Sequence, residues 1–219
     1  MPIDFYYFPP SPPCRQVLLL GKAIGVHFNL KSVNVLKGEQ MAEDFVKINP
    51  QHTIPTINDN GLILYESRPI MGYLVNRYAR NDSLYPKDPK KRAAVDQMLY
   101  FDLGSLFENI SMCYFPVILG KTHSLNEERV RAVEKSCEIL NKFLEGKEFV
   151  AGDNLTIADF SISTSICLLH CFDFDLDRYE NVTKWYNNCK ELMAGFEDVH
   201  APGTKFFTEE YRANLEGSS

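Results

Sequence analysis

Pro55-Thr56-Ile57-Asn58-Asp59-Asn60-Gly61-Leu62-Ile63-Leu64 decides the fold. Two short runs rich in β-branched and aliphatic residues flank Asp59-Asn60-Gly61, and Asn-Gly supplies the left-handed residues that a tight hairpin turn needs. The stretch reads as two antiparallel strands. Upstream, residues 3–8 read as a strand. Residues 15–24 have helical spacing, with Val17, Leu18, Leu20 and Ala23 apolar, and end at Gly25. Residues 28–35 alternate, and 42–48 read as a short helix. Downstream, 67–78 are helical again. The order is β-α-β-α-β-β-α: a parallel opening pair closed by an antiparallel hairpin, hence an α/β unit. A polar, proline-containing run over 81–91 follows. Beyond it strand signals stop, and 92–115, 126–144, 157–171 and 182–193 read as helices. The expected organisation is an α/β unit over 1–80, a linker over 81–91 and an all-α helical bundle over 92–219.

The composition excludes several classes. The chain has 219 residues, 45% of them hydrophobic and 24% charged, which is enough apolar material for a packed core and too much for a disordered chain. A net charge of −6 argues against a nucleic-acid binder, which needs a basic surplus. No run approaches 18 apolar residues, so no membrane-spanning helix is expected, and the start lacks the basic-then-apolar pattern of a secretory signal. The cysteines Cys14, Cys113, Cys137, Cys167, Cys171 and Cys189 form no Cys-x-x-Cys pair and sit in apolar segments, as buried free thiols in a reducing, cytoplasmic compartment would. Cys167, His170 and Cys171 lie close on one helix, but no second cluster completes a metal site, so no metal is expected. Thr156-Ile157-Ala158-Asp159 reads as a capping box opening an apolar helix.

Four stretches carry chemistry. Pro9-Pro10-Ser11-Pro12-Pro13-Cys14-Arg15 places a hydroxyl at the start of the first helix, beside unpaired amides and the positive end of the dipole, where an anion such as a thiolate is favoured. A simple helix cap accounts for Ser11 equally well on this segment alone. In Asn49-Pro50-Gln51-His52-Thr53-Ile54-Pro55-Thr56, a proline entering a strand belongs at its start or edge. Glu66-Ser67-Arg68, followed by Pro69, resembles a capped helix start with Ser67 as the cap; a carboxylate and free amides there suit an amino-acid-like ligand. In the aromatic stretch 106–115, Phe107, Ile110 and Tyr114 share one helical face, the pattern of core packing or of a pocket wall beside a cleft.

Together these motifs resemble cytosolic glutathione S-transferases, most closely the arthropod delta/epsilon type, over nearly the whole chain. The resemblance rests on Phe5-Tyr6-Tyr7 before Ser11-Pro12-Pro13-Cys14-Arg15, on the 49–56 segment, on Asp59-Asn60-Gly61 leading to Glu66-Ser67-Arg68, and on Val150-Ala151-Gly152-Asp153 through Asp159. It implies a thioredoxin-like N-terminal domain that binds glutathione, a helical C-terminal domain, a homodimer, a cis Ile54–Pro55 bond and no prosthetic group, glutathione being a co-substrate. Ser11 matches the catalytic serine, whose hydroxyl would stabilise the glutathione thiolate for attack on a hydrophobic electrophile, a detoxification reaction. Glutathione would be held by Gln40, His52, Thr53, Ile54, Pro55, Glu66, Ser67 and Arg68, with Ile54 pairing main chain to main chain, Glu66 and Ser67 at the γ-glutamyl end and His52 near the glycine end. The apolar substrate site would be lined by Pro13, Val35, Phe107, Ile110, Tyr114, Phe115, Phe206 and Phe207. Tyr100 would reach the dimer interface.

Two departures bear on function. Gln40 stands where the family often carries a histidine, so a neutral amide replaces a cationic donor near the glycine carboxylate. Pro10 stiffens the loop before Ser11. Three other readings use the same frame: a non-catalytic carrier of apolar ligands, a thiol-disulfide oxidoreductase built on Cys14, and peroxidase, isomerase or dehydrochlorinase chemistry with the same thiolate. A role like that of translation-factor relatives would require a further domain.

Overall fold

The computed structural model describes residues 2–216; Met1 and 217–219, the outer ends of the two expected units, lie outside the described residues. The first part runs β1 (Ile3–Tyr7), α1 (Pro12–Ile24), β2 (Phe28–Ser32), α2 (Glu43–Ile48), β3 (Thr56–Asp59), β4 (Leu62–Tyr65) and α3 (Ser67–Tyr78). This is the βαβαββα order expected of a thioredoxin-like unit. The sheet order is β2-β1-β3-β4. β1 pairs parallel with β2, through Phe5 opposite Leu30, and antiparallel with β3, through Phe5 opposite Ile57. β3 and β4 form the hairpin, whose Asn60 and Gly61 adopt φ of 51° and 95°.

Side-chain alternation assigns the layers. Ile3 and Phe5 are buried on one face, where Phe28 tilts against Phe5 at 4.9 Å and α1 lies directly above. A Cβ at Gly21 of α1 would stand 2.3 Å from the Phe28 ring, so only glycine allows this approach. On the opposite face Tyr6 meets Phe45 of α2 edge-on at 5.6 Å. β2 ends at Ser32, and Leu30 is exposed, so the alternation over 28–35 overextends the strand. Residues 33–41 instead carry two short 3₁₀ turns, at Val35–Lys37 and Glu39–Met41. The Asn34 side chain caps the first by accepting from the amides of Leu36 (3.0 Å) and Lys37 (3.3 Å).

The second part is α4 (Pro89–Phe101), α5 (Phe107–Ile118), α6 (Glu127–Phe143), α7 (Ile157–Leu169), α8 (Glu180–Leu192) and α9 (Phe196–Glu216). α7 is the hub, with every residue buried. At its start Asp159 accepts from the Thr156 amide (2.8 Å), the Val150 amide (3.0 Å) and the Trp185 indole (2.9 Å), which ties three segments to one carboxylate. The Thr156 hydroxyl donates to that carboxylate (3.0 Å), and the Asp159 amide goes to the Thr156 carbonyl. All six cysteines are buried free thiols. Among the described residues no three metal-ligating side chains cluster, and no helix is long and apolar enough to cross a membrane.

Two features depart from the sequence reading. Residues 92–115, which read as one helix, are α4 and α5 joined by a π-helical turn at Asp102–Leu106. The wider turn inserts extra residues and rotates the downstream face. Second, the reading names no helix beyond 193, whereas α9 runs through Pro202-Gly203, a pair that locally disfavours a helix. α9 forms across that pair because it packs on α1. The Arg15 guanidinium, buried beneath α9, lies so close that a Cβ at Gly203 would be 2.6 Å from its Cζ. Arg15 Nη1 donates to His200 Nδ1 at 2.9 Å, which leaves the His200 proton on Nε2, because a guanidinium only donates.

This pair makes acid stability measurable. Burial first, and the Arg15 cation second, press His200 down to a pKa of about 2. In the unfolded chain it titrates near about 6.5. Below that pH the unfolded state takes up a proton that the folded state refuses. The His200 contribution is therefore complete above pH 6.5 and declines by about 1.4 kcal/mol per pH unit below it. Denaturant titrations at pH 7.5 and 4.5 are expected to show wild type losing about 2.7 kcal/mol more than His200→Gln. Parallel losses in the two proteins would remove His200 from the account.

Candidate active site

The β1–α1 loop faces α5 and α9 across a cavity, and the 49–55 loop meets the start of α3 through Gln51 and Glu66. Ser11 precedes α1 with φ −61° and ψ 120°, its amide donating to the Phe8 carbonyl (2.9 Å) and its carbonyl accepting from the Arg15 amide (3.0 Å). Its hydroxyl makes no capping bond. Pro12 and Pro13, the first two helical residues, have no N–H to offer, and the hydroxyl does not bond the Cys14 amide that follows them. The helix end thus presents fewer free amides than its sequence position implies, and the Ser11 side chain lines the cavity beside the buried Cys14 thiol. Cys14, three residues on, is fully buried, and burial pushes its thiol up to about 12.

The 49–55 loop is organised by Asn49, which is fully buried. Its side-chain amide donates to the Thr53 carbonyl (3.1 Å), the Thr53 hydroxyl (3.3 Å) and the Thr56 hydroxyl (2.9 Å), and its carbonyl oxygen accepts from the Gln51 amide (2.9 Å). His52 is exposed at φ 46°, and Ile54–Pro55 is cis. Among the described residues no other backbone group bonds to the amide or carbonyl of Ile54. Gln40, in the Glu39–Met41 turn, carries a buried amide oxygen without a partner.

Glu66 differs from its sequence reading. It, and not Ser67, is the cap residue of α3, at φ 70° and ψ 118°, and Gln51 Nε2 donates to its carboxylate at 2.9 Å. Ser67 is the first helical residue and is buried, its hydroxyl donating to Gln16 Oε1 at 2.9 Å. Arg68 also turns inward. Its Nη2 is paired with Asp102, whose two carboxylate oxygens also accept from Ser161 (2.5 Å) and Ser165 (2.7 Å) of α7. Arg68 is thus neutralised within the protein and is no free cation for an anionic ligand. Tyr100 of α4 is 73% exposed and lines a separate groove with Glu66, Tyr73, Arg92 and Leu103.

Above Ser11 lies an apolar cavity of about 270 Å³. It brings together Ser11, Pro13, Val35, Phe107, Phe115, Phe206 and Phe207 with Phe8, Pro10, Pro12, Leu36, Ile118 and Leu119, which the sequence reading does not name. Ile110 and Tyr114 are corrected: both are buried in the core and take no part in the wall. α5 is apolar on most of its circumference, so spacing from Phe107 alone does not say which stripe faces out. The stripe Phe107–Phe115–Ile118 faces the cavity, while Tyr114 stacks on Phe172 at 4.3 Å on the other side.

The comparisons agree with this architecture. Residues 5–82 match the model of the glutathione S-transferase N-terminal domain and 105–192 that of the C-terminal domain. A delta-class glutathione transferase of Nilaparvata lugens is 44% identical, with a TM-score of 0.93 over 97% of this chain and 100% of that one. The chain belongs to the glutathione S-transferase family. An epsilon-class enzyme of the housefly Musca domestica is 36% identical, with a TM-score of 0.91 over 97% of this chain and 98% of its own. A glutathione transferase homologue from Drosophila mojavensis, solved with bound glutathione, is 33% identical, with a TM-score of 0.89 over 97% of each chain. This transferase is therefore similar to both the delta and the epsilon classes of insect enzymes.

Proposed function

We propose that this transferase activates the thiol of glutathione through Ser11 and conjugates it to apolar electrophiles in a detoxification role. The observation that carries the reading is the uncapped Ser11 hydroxyl at the head of α1, the one polar side chain of an otherwise apolar cavity. Lowering a thiol pKa by about two units from roughly 8.5 requires about 2.7 kcal/mol of preference for the anion. One charge-assisted hydrogen bond contributes roughly 1.5–3 kcal/mol, and the helix end up to about 1. With two of its first amides absent, most of that preference falls to the hydroxyl.

Glutathione is placed along the ridge formed by the 49–55 loop and Glu66. The unpaired backbone of Ile54 takes the cysteinyl part in strand-like pairing, the Glu66 carboxylate and the Ser67 region take the γ-glutamyl amine and carboxylate, and His52 and Gln40 flank the glycine end, with Thr53 and Pro55 shaping the ridge. The division into a glutathione domain, a short linker and a helical domain carrying the apolar site follows the same layout. Exposed Tyr100 and its groove fit a homodimer, and six buried unpaired thiols fit the cytoplasm.

The test is conjugation of glutathione to a nitro-substituted aryl halide by the purified protein. Saturable turnover is the expected result. Tight binding of apolar dyes without turnover on a broad electrophile panel would establish a carrier instead. Activity abolished by Cys14→Ser but not by Ser11→Ala would establish redox chemistry, which the buried, high-pKa Cys14 thiol opposes.

A further inference from the structure

The apolar cavity carries a statement about which electrophiles the transferase accelerates, resting on the glutathione reading above. Five rings form a continuous arc around it. Phe107 meets Phe115 edge-on at 6.3 Å, Phe115 stacks on Phe207 at 5.6 Å, Phe207 meets Phe206 at 5.3 Å, and Phe206 meets Phe8 at 6.4 Å. The arc begins on α5, crosses α9 and closes on the β1–α1 loop beside Ser11. Prolines and aliphatic side chains fill the remainder, and Ser11 is the one lining side chain with a polar atom. The neighbouring tyrosines do not line it: Tyr7 stacks on Phe5 at 5.6 Å, Tyr114 is buried against Phe172, and Tyr211 packs on both Tyr114 and Phe172.

We propose that this transferase is selective for flat aromatic electrophiles that carry the developing negative charge in their own π-system, and discriminates against electrophiles, such as epoxides, whose departing oxygen must be protonated or hydrogen-bonded by the protein. The two reactions differ in where the electrons go. With a nitro-substituted aryl halide, the thiolate forms a C–S bond at the ring carbon, and the displaced pair is held by the ring and its nitro oxygens. The carbon–halogen bond then breaks with the pair leaving on halide, giving thioether and halide without any proton transfer. With an epoxide, the C–S bond forms as the C–O bond breaks and the pair settles on oxygen, giving an alkoxide that must take a proton. Ser11 is engaged with sulfur, and no other lining side chain offers one. General acid assistance of this kind contributes typically 10²–10⁴-fold.

The experiment measures kcat/KM with saturating glutathione for a nitro-substituted aryl halide and for a phenyl-substituted epoxide, each divided by its uncatalysed rate with glutathione. The aryl halide is expected to be accelerated at least about 100-fold more. Phe107→Tyr and Phe206→Tyr each place a hydroxyl in the arc, and at least one is expected to raise the epoxide-to-aryl-halide ratio tenfold or more. Phe206→Leu alters shape without adding a donor and is expected to leave that ratio within about threefold. Equal acceleration of both substrates by the wild type, or a rise with Phe206→Leu as large as with the tyrosines, overturns the selectivity while leaving the transferase reading intact. No acceleration of either substrate overturns both.

Discussion

Ser11→Ala is expected to lower kcat/KM for aryl-halide conjugation at least tenfold at pH 6, with the loss shrinking as pH rises. Without the hydroxyl, the bound thiol returns toward its free value, about two units higher. Below both values that leaves about 100-fold less thiolate. The more basic thiolate is the better nucleophile, with a Brønsted slope of about 0.4–0.5, and this recovers roughly tenfold. Above both values the thiolate population no longer differs and the deficit closes. The acid limb of the pH–rate profile should therefore move up by about two units. Stability separates this role from capping. A lost N-cap costs about 1 kcal/mol, but the Ser11 hydroxyl makes no cap bond and faces two prolines. Ser11→Ala should melt within the error of wild type, and Ser11→Thr should recover part of the rate at pH 6. A pH-independent loss, or a loss matched by a lower melting temperature, would return Ser11 to the status of a structural cap.

Asp102→Ala is expected to destabilise the protein by about 3–5 kcal/mol, a fall in melting temperature of roughly 10 °C. Asp102 is fully buried and accepts from Arg68, Ser161 and Ser165 at once. Removing it strands a buried guanidinium whose Nε already has no partner. It also cuts the tie between the 66–68 segment and α7, the other tie being Gln16, which accepts from Ser67 and donates to the Ser161 carbonyl at 3.4 Å. The variant should therefore also raise KM for glutathione. Arg68→Met should cost much less in the Asp102→Leu background than alone, because the charge it removes there has lost its partner. A loss below about 1 kcal/mol for Asp102→Ala, or additive single and double variants, would show that the pair contributes little.

Much of this arrangement is written locally. Asn60-Gly61 dictates a hairpin by backbone preference, Asp88 caps α4 by accepting from the Lys90 and Lys91 amides, and Thr156 and Asp159 open α7. Such signals act within a few residues, so sequence reading finds the hairpin and the α7 box, although it leaves 89–91, the first turn of α4, in the linker. The cavity wall was legible only in part. Pro13, Val35, Phe107, Phe115, Phe206 and Phe207 were named from the family resemblance, whereas Phe8, Leu36, Ile118 and Leu119 carry no signal that separates wall from core. Ile110 and Tyr114 were named and lie in the core, because α5 is apolar around most of its circumference and spacing from Phe107 does not separate wall from core. α9 was missed because Pro202 and Gly203 locally oppose a helix, and the opposing force, packing on Arg15 of α1, comes from 185 residues away in the chain.

By itself, the sequence determined the order of strands and helices in the α/β unit, the capping box that opens α7, the hairpin and the presence of a hydroxyl at the head of α1, because each depends on neighbours along the chain. Only the tertiary structure decided that this hydroxyl is uncapped, that Glu66 rather than Ser67 caps α3, that Arg68 is neutralised by Asp102, and which aromatic rings line the cavity. Those outcomes depend on burial and on charges met across the interface of the two units. Burial makes an unpaired charge costly enough to override local preference, and packing against neighbouring helices decides which side of an all-round apolar helix becomes a wall.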